Sequence, residues 1–269
     1  MATLPTYYIS HGGGPWPYMP EFRQGAMHKL DLSLQDIPRQ IGVKPKAVLI
    51  ISGHWEEPEF TLMSGAQPPM LYDYYGFPEH TYHVKYSAPG APQLAHDIAQ
   101  LITDNGLIAQ LDDQRGFDHG VFAPLAAIYP NAEIPVVQLS LKAGLDPAQH
   151  IAVGRALAPL RDDGVLILGS GSSYHNMHRM GPQAMPETEI FDNWLQQTLV
   201  NSEPAARLEK LLDWRHAPAG LAAHPREEHL LPLMVAVGAA IDEPGSCIYR
   251  EAGVFGGVII SSFRFGAAA

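Results

Sequence analysis

The sequence predicts an α/β fold with a mostly parallel central sheet flanked by helices, and at 269 residues the chain could form one large domain or two small ones. Residues 47–52 and 165–169 are short runs of apolar or small residues without alternating polarity. Such runs are typical of strands buried on both faces, as in a parallel sheet. Residues 91–102 instead repeat apolar side chains at helical spacing, which predicts a helix with one face on the sheet.

The same patterns give the remaining elements. Further strands are predicted at residues 6–9, 60–63, 108–111, 136–139, 247–250 and 254–263, with 60–63 a candidate hairpin partner of the strand before it. Helices are predicted within residues 21–40, after His119 to residue 129, and over 148–160, 187–201 and 204–214. A last helix is expected to begin at Pro225 and to bend at Pro232, because proline suits a first helical turn and disturbs a helix interior.

Composition and charge exclude several classes of partner. The chain is 46% hydrophobic and 17% charged, as in an ordinary globular protein, and its net charge is -11. This charge disfavours binding to nucleic acid or to an anionic membrane. Cys247 is the one cysteine, so an internal disulfide is impossible, and no signal peptide or membrane-spanning run is found. We therefore expect a cytoplasmic protein; the oligomeric state stays open.

Histidines are frequent, at 13 in the chain, and several follow predicted strands. His11, His54, His119 and His175 lie at strand ends or strand-to-helix loops, and His229 lies near a predicted helix start. Ligands of open α/β sheets bind at the carboxyl ends of the strands. These histidines lack the sequence spacing of a known metal motif, so their positions alone leave open a metal site or scattered structural roles. The others are assigned to structural or solvent-exposed positions, with His96 and His150 expected on solvated helix faces: His28, His80, His83, His96, His150, His178, His216 and His224.

A long aromatic loop, residues 67–80, separates two predicted elements. Loops of this length are often lids or binding loops. Its side chains Tyr72, Tyr75 and Phe77, together with Tyr74, could stack on a flat substrate or could simply pack the loop onto the protein. A dinucleotide fingerprint is rejected, because the glycine spacing that starts at Gly169 is broken by a tyrosine at the third position.

Taken together, the motifs resemble the 4,5-DOPA extradiol dioxygenase family, within the class III extradiol ring-cleaving dioxygenases. The resemblance covers nearly the whole chain. It is carried, in order, by YISHGGGP, VLIISGHW, YDYYGFPEHTY followed by YSAPGAP, GFDHGVFAPL, PVVQLS, LGSGSSYHNM and EEHLLPL. The resemblance implies a single catalytic domain over residues 1–269. It also implies an enzyme that opens the ring of a catechol-type substrate, DOPA-like or otherwise substituted, with dioxygen.

The resemblance also implies site roles and a cofactor. His11, His54 and His229 would be the metal ligands, His175 an acid/base residue, and His119 a residue that binds or polarises substrate or dioxygen. Related enzymes use two histidines and a carboxylate, so a contribution from Glu227 or Glu228 stays open. Iron(II) is expected in the active form, because zinc is redox-inert. Zinc can still occupy such a site in an isolated sample, since it lies above iron(II) in the affinity order.

Three other functions use parts of the same pattern. A zinc-dependent hydrolase could use the same histidines to activate water. An esterase would fit the glycine-rich loop after His11, but the chain has no G-x-S-x-G elbow. A non-enzymatic metal-binding protein is disfavoured by His119 and His175, which a simple binding site would not need.

Overall fold

A computed structural model describes residues 3–268, and the strands within this range form one eight-stranded sheet. The strands are β1 Thr6–Ser10, β2 Ala47–Glu57, β3 Phe60–Met63, β4 Ala109–Asp112, β5 Val136–Lys142, β6 Val165–Gly171, β7 Gly245–Val254 and β8 Val258–Phe265. Their order is β4-β3-β5-β2-β6-β1-β8-β7. The four central strands β5, β2, β6 and β1 are parallel, β8 runs antiparallel to β1, and β7 runs antiparallel to β8.

Helices cover both faces of this sheet. In the described part of the chain they are α1 Pro20–Gln24, α2 His28–Ile41, α3 Pro92–Asp104, α4 His119–Ile128, α5 Pro147–Leu157, α6 Met185–Leu199, α7 Pro204–Leu212, α8 Gly220–Ala223 and α9 Leu231–Gly238. Successive side chains of a strand point to opposite faces. Ser52 of β2 accordingly contacts Asp118 at the start of α4, and Gly53 lies against Glu228 just before α9. The predicted α/β class, a mostly parallel sheet flanked by helices, is confirmed.

The centre of the sheet is the core of the fold. Val48, Leu49, Ile50 and Ile51 of β2 are all fully buried, as expected for a strand covered on both faces. The unbroken apolar run in the sequence therefore identified the central strand correctly. The predicted end of this strand before His54 was wrong, because β2 continues to Glu57 and His54 lies within it.

Two glycines of β6 allow the segment that carries His229 to pack directly on the sheet. A Cβ added at Gly169 would lie 2.2 Å from the Pro232 carbonyl oxygen, and one added at Gly171 would lie 2.0 Å from the His229 carbonyl oxygen. Any side chain at either position would push this backbone away. The glycine spacing that resembles half of a dinucleotide fingerprint therefore serves close packing of α9 and of the turn before it.

Three further expectations about local structure were wrong. β3 pairs with β4 and β5 and is not a hairpin partner of β2, because β5 lies between them in the sheet. The last helix begins at Leu231 and not at Pro225, so Pro232 lies in its first turn, where a missing N–H costs nothing. His150 of α5 is fully buried, because this helix packs against α9 and α3 and the His150 ring lies against Phe60 of β3. His96 is exposed, as expected.

No helix of residues 3–268 is long and apolar enough to cross a membrane.

Candidate metal centre

His11 follows β1 directly and is almost completely buried. Its Nδ1 lies 3.2 Å from Ser170 Oγ of β6. The Ser170 hydroxyl donates to the Gly120 carbonyl oxygen, so its oxygen is left to accept a hydrogen bond from His11 Nδ1–H. His11 Nε2 then carries the lone pair. Burial, together with the neighbouring histidines, holds the pKa of His11 well below its usual range, so the ring is neutral.

His54 lies within β2, where the pairing with β5 becomes irregular between Ile51 and Glu56. Such irregularities re-aim side chains near functional sites. His54 Nε2 lies 3.1 Å from His11 Nε2 and 3.2 Å from His229 Nε2. On the other side of the ring, Nδ1 lies 3.5 Å from Asp73 Oδ2. Burial, followed by the nearby His119, lowers the pKa of His54 to about 4.

His229 lies in the turn before α9. The hydroxyl of Tyr8 in β1 holds it there by donating to the His229 carbonyl oxygen at 2.8 Å. Its Nδ1 lies 3.0 Å from Glu228 Oε1, an acceptor when ionised, so Nε2 again carries the lone pair. Burial holds the pKa of His229 well below its usual range, against the opposing effect of Glu228.

The three Nε2 atoms therefore meet in one place. His11, His54 and His229 each have a Nδ1 that faces an oxygen. Their Nε2 atoms face one another, and with the protons on Nδ1 these atoms cannot form hydrogen bonds among themselves. Three converging lone pairs repel one another unless a cation lies between them. Nitrogens bound about 2.1 Å from one ion lie about 3.0 Å apart at a right angle and about 3.4 Å apart at the tetrahedral angle. The separations of 3.1 and 3.2 Å fall between these values, so the donor set suits a metal ion.

His119 and His175 flank this group on opposite sides. His119 is the first residue of α4, with its ring centroid 4.0 Å from that of His54. His175 lies in the loop after β6 and stacks on His229, with ring centroids 3.4 Å apart and planes 17° from parallel. The fold thus brings together all five histidines that the sequence places at strand ends or near a helix start. The structure places His119 at a helix start and not within a loop.

Two carboxylates hold the flanking histidines. Asp73 Oδ1 lies 2.9 Å from His119 Nδ1, and Glu228 Oε1 lies 3.2 Å from His175 Nδ1. Burial acts to raise the pKa of both carboxyls, but hydrogen bonds from the histidines outweigh it and hold both pKa values below their usual range. Sequence reasoning missed Asp73, which is embedded among the tyrosines of the aromatic loop. It left open Glu227 and Glu228; Glu228 contacts the histidines, and Glu227 pairs with Arg215.

A third carboxylate, Asp118, joins the sheet to the start of α4. It is fully buried and accepts hydrogen bonds from Ser52 at 2.7 Å, Gln138 at 2.5 Å and Arg115 at 2.6 Å. A buried carboxylate with three donors is well satisfied. Asp118 therefore fixes the helix start that carries His119. The adjacent aspartate and histidine in GFDHG are the signal that could have found it.

The aromatic loop contacts the cluster through Tyr74. The Tyr74 ring lies 6.0 Å from the His119 ring and 5.4 Å from the Phe77 ring. Phe77 lies against Gly14, in the loop that follows His11. Tyr72 donates its hydroxyl to the Val84 carbonyl oxygen at 2.7 Å, which ties the loop down, and Tyr75 is 92% exposed. The loop thus combines packing with a contact to the histidines.

Comparisons with known proteins show the family to which this chain belongs. Residues 5–258 match the family model described as the catalytic LigB subunit of aromatic ring-opening dioxygenase. The chain belongs to this family. It is 40% identical over 241 residues to a 4,5-DOPA dioxygenase extradiol of Beta vulgaris, covering 87% of this chain and 86% of the relative. It is 36% identical over 266 residues to dioxygenase tasH of Hapsidospora irregularis, covering 90% of this chain and 80% of the relative.

A solved structure has a similar fold. The crystal structure of uncharacterized protein JW3007 from Escherichia coli K12 superposes with a TM-score of 0.78 at 27% identity, over 98% of this chain and 100% of that one. The resemblance to extradiol dioxygenases expected from the motifs is confirmed by the family match. The protein is therefore an extradiol aromatic ring-opening dioxygenase, from a metal-dependent family, with a histidine-rich site that suits a metal.

Proposed function

We propose that this LigB-family protein is a non-haem iron(II)-dependent dioxygenase, acting as one catalytic domain over residues 1–269, that opens the ring of a catechol-type substrate with dioxygen. His11, His54 and His229 would hold the ion. The observation that carries the proposal is the convergence of their three Nε2 atoms, with His119 and His175 beside them. A location in the cytoplasm remains a prediction.

Iron(II), when bound, would offer coordination positions to a catechol and to dioxygen and would pass electrons between them, which zinc, being redox-inert, does not. The remaining work falls to side chains. Asp73 and Glu228 accept hydrogen bonds from the Nδ1 atoms of His119 and His175, which leaves the Nε2 atoms of those rings free to take up or deliver protons. Histidine suits both duties because its ordinary pKa lies near neutrality.

We assign His175 to removal of a proton from the catechol hydroxyl, because its side chain is 26% exposed and can meet an incoming substrate. His119 is assigned to binding of substrate or dioxygen and to proton delivery as the ring opens. Substrate would lie along the aromatic loop, beside Phe77 and Tyr74, with Tyr72 and Tyr75 as further contacts on the same loop. The identity of the catechol is left to experiment.

The test begins with apoprotein loaded with iron(II) without oxygen, followed by air and a panel of catechols. We expect a coloured ring-opened product and uptake of one dioxygen molecule per ring. Zinc-loaded protein should consume no oxygen, because zinc is redox-inert. His54→Ala should abolish both signals through loss of the ion, and His96→Ala, at an exposed position of α3, should leave both unchanged. Ester hydrolysis by the zinc form without oxygen uptake would favour the hydrolase instead.

A further inference from the structure

One carboxylate oxygen contacts two histidines with different proposed duties. Glu228 Oε1 lies 3.0 Å from His229 Nδ1 and 3.2 Å from His175 Nδ1. The two rings are stacked with centroids 3.4 Å apart, so both Nδ1 atoms reach the same oxygen. The other oxygen, Oε2, lies 3.5 Å from an Arg226 nitrogen, and the Glu228 side chain is only 14% exposed.

This contact determines how the two rings present their nitrogens. An ionised carboxylate only accepts hydrogen bonds, so each Nδ1 that faces it carries the proton and each Nε2 carries the lone pair. Nδ1 and Nε2 point to different sides of an imidazole ring. Glu228 therefore lies behind His229 as seen from His11 and His54, whose Nε2 atoms meet the opposite side of that ring. From this position it orients His229 and does not reach the point where the three Nε2 atoms meet.

We propose that Glu228 is a positioning residue shared by a metal ligand, His229, and the acid/base residue, His175. The proposal rests on the proposed function, which supplies those two roles. A carboxylate behind a ligating histidine fixes its tautomer and orientation. Here the same oxygen does so for the neighbouring ring as well. Loss of Glu228 should therefore weaken ion binding and proton transfer together, whereas loss of His175 should affect proton transfer alone.

The chain offers a matched control in the adjacent residue. Glu227 is a buried glutamate, but it pairs with Arg215. The experiment compares Glu228→Ala, Glu228→Gln and Glu227→Ala. Zinc binding to each apoprotein is measured by titration calorimetry, and the histidine tautomers of each apoprotein are measured from the side-chain ¹⁵N shifts. Thermal unfolding of each protein establishes that it is folded.

Glu228→Ala should bind zinc about 10- to 100-fold more weakly, the usual effect of losing a partner behind a ligand. It should also lose the Nδ1–H tautomer signals of His229 and His175. Glu228→Gln keeps one acceptor oxygen and should restore part of both properties. Glu227→Ala should bind zinc as the wild type does and keep both tautomer signals.

Unchanged zinc affinity and unchanged tautomers in Glu228→Ala would overturn the proposal, as would equal losses in Glu227→Ala. If Glu228→Ala does not fold, Glu228→Gln decides the matter: tautomers that match the wild type, with unchanged affinity, would contradict a role for the charged acceptor. Failure of the wild type to bind any ion would contradict the proposed function instead. The tautomer signals of the apoprotein would still test the role of Glu228 separately.

Discussion

Two buried histidine environments in this protein use their nitrogens in opposite ways. In α5, His150 Nδ1 donates to the Asp146 carbonyl oxygen at 2.8 Å, and Nε2 accepts from the Lys142 N–H at 3.2 Å. Both nitrogens are thus satisfied by the backbone. In the cluster, Nδ1 of His11 and Nδ1 of His229 face oxygens, and their Nε2 atoms face other lone pairs.

Burial is common to both environments and therefore does not identify a functional histidine. Each is held neutral because desolvation lowers its pKa, to about 4 for both His54 and His150. The two environments differ in whether the second ring nitrogen, Nε2, has a hydrogen-bond donor in the protein. A lone pair without a protein donor, repeated three times at one point, is a place for a cation, whereas a ring bonded at both ends is part of the core.

The largest effect expected beyond loss of the ion tests whether the cluster divides into ligands and proton-transfer residues. His175→Ala should retain the metal and lower turnover about 10²- to 10⁴-fold, the usual range for loss of a general acid or base. Metal content by elemental analysis and kcat with a catechol measure the two properties. A variant that loses the ion would show that His175 is a fourth ligand and that the division is wrong.

A second prediction concerns the other member of the comparison. The pKa of His150 is about 4 in the folded chain, against about 6.5 when unfolded. The unfolded chain therefore binds the proton first, and stability falls as pH drops from about 6.5 to about 4. Full protonation costs about 3 kcal/mol of unfolding free energy, which is retained above pH 6.5.

Denaturant unfolding of wild type and of His150→Gln apoproteins at several pH values measures this contribution. The wild type should lose about 3 kcal/mol more than the variant over that interval. Using apoprotein removes the effect of metal binding on stability. Parallel pH profiles for the two proteins would show that His150 is not the group that titrates, and would weaken the contrast with the cluster.

The strand-derived part of the site was predictable from the sequence. His11 and His54 follow buried apolar runs, and the carboxyl edge of a parallel sheet brings such residues together. The position of His229 near a helix start was also predicted, but the predicted first residue of that helix was wrong. Pro225 and Pro232 both suit a first turn, and the local sequence does not show which of them begins the helix. The tertiary packing of the turn that carries His229 against Gly171 determines the choice.

The carboxylates were harder to find because they depend on tertiary contacts. Asp73 lies in a long loop without periodicity, 46 residues before the histidine whose Nδ1 it meets. Similarly, the burial of His150 depends on packing among α3, α5 and α9, which a helical pattern alone does not reveal. Residue type and strand position thus predict the histidines of the site. The carboxylates that contact their Nδ1 atoms can be identified only from the three-dimensional structure.

The smallest expected effect sharpens the difference between the two carboxylates. Asp73 lies 2.9 Å from His119 Nδ1 but 3.5 Å from His54 Nδ1, whereas Glu228 lies close to both of its histidines. Asp73→Asn should therefore lower kcat about 10-fold, at the low end of the range for such partners, and leave zinc affinity nearly unchanged. Asp97→Asn, at an exposed position of α3, is the matched control.

Calorimetric zinc binding and steady-state kinetics on the same preparations separate the two effects. If Asp73→Asn weakens zinc binding as strongly as Glu228→Ala, then the 3.5 Å contact to His54 orients that ligand after all, and the two sides of the cluster are equivalent. If it lowers kcat alone, Asp73 acts through His119, because a neutral amide is a poorer hydrogen-bond acceptor than a carboxylate for an imidazole that becomes charged during proton transfer. The two carboxylates would then differ in function as they differ in distance, with ion binding supported from the His229 side and proton transfer from both.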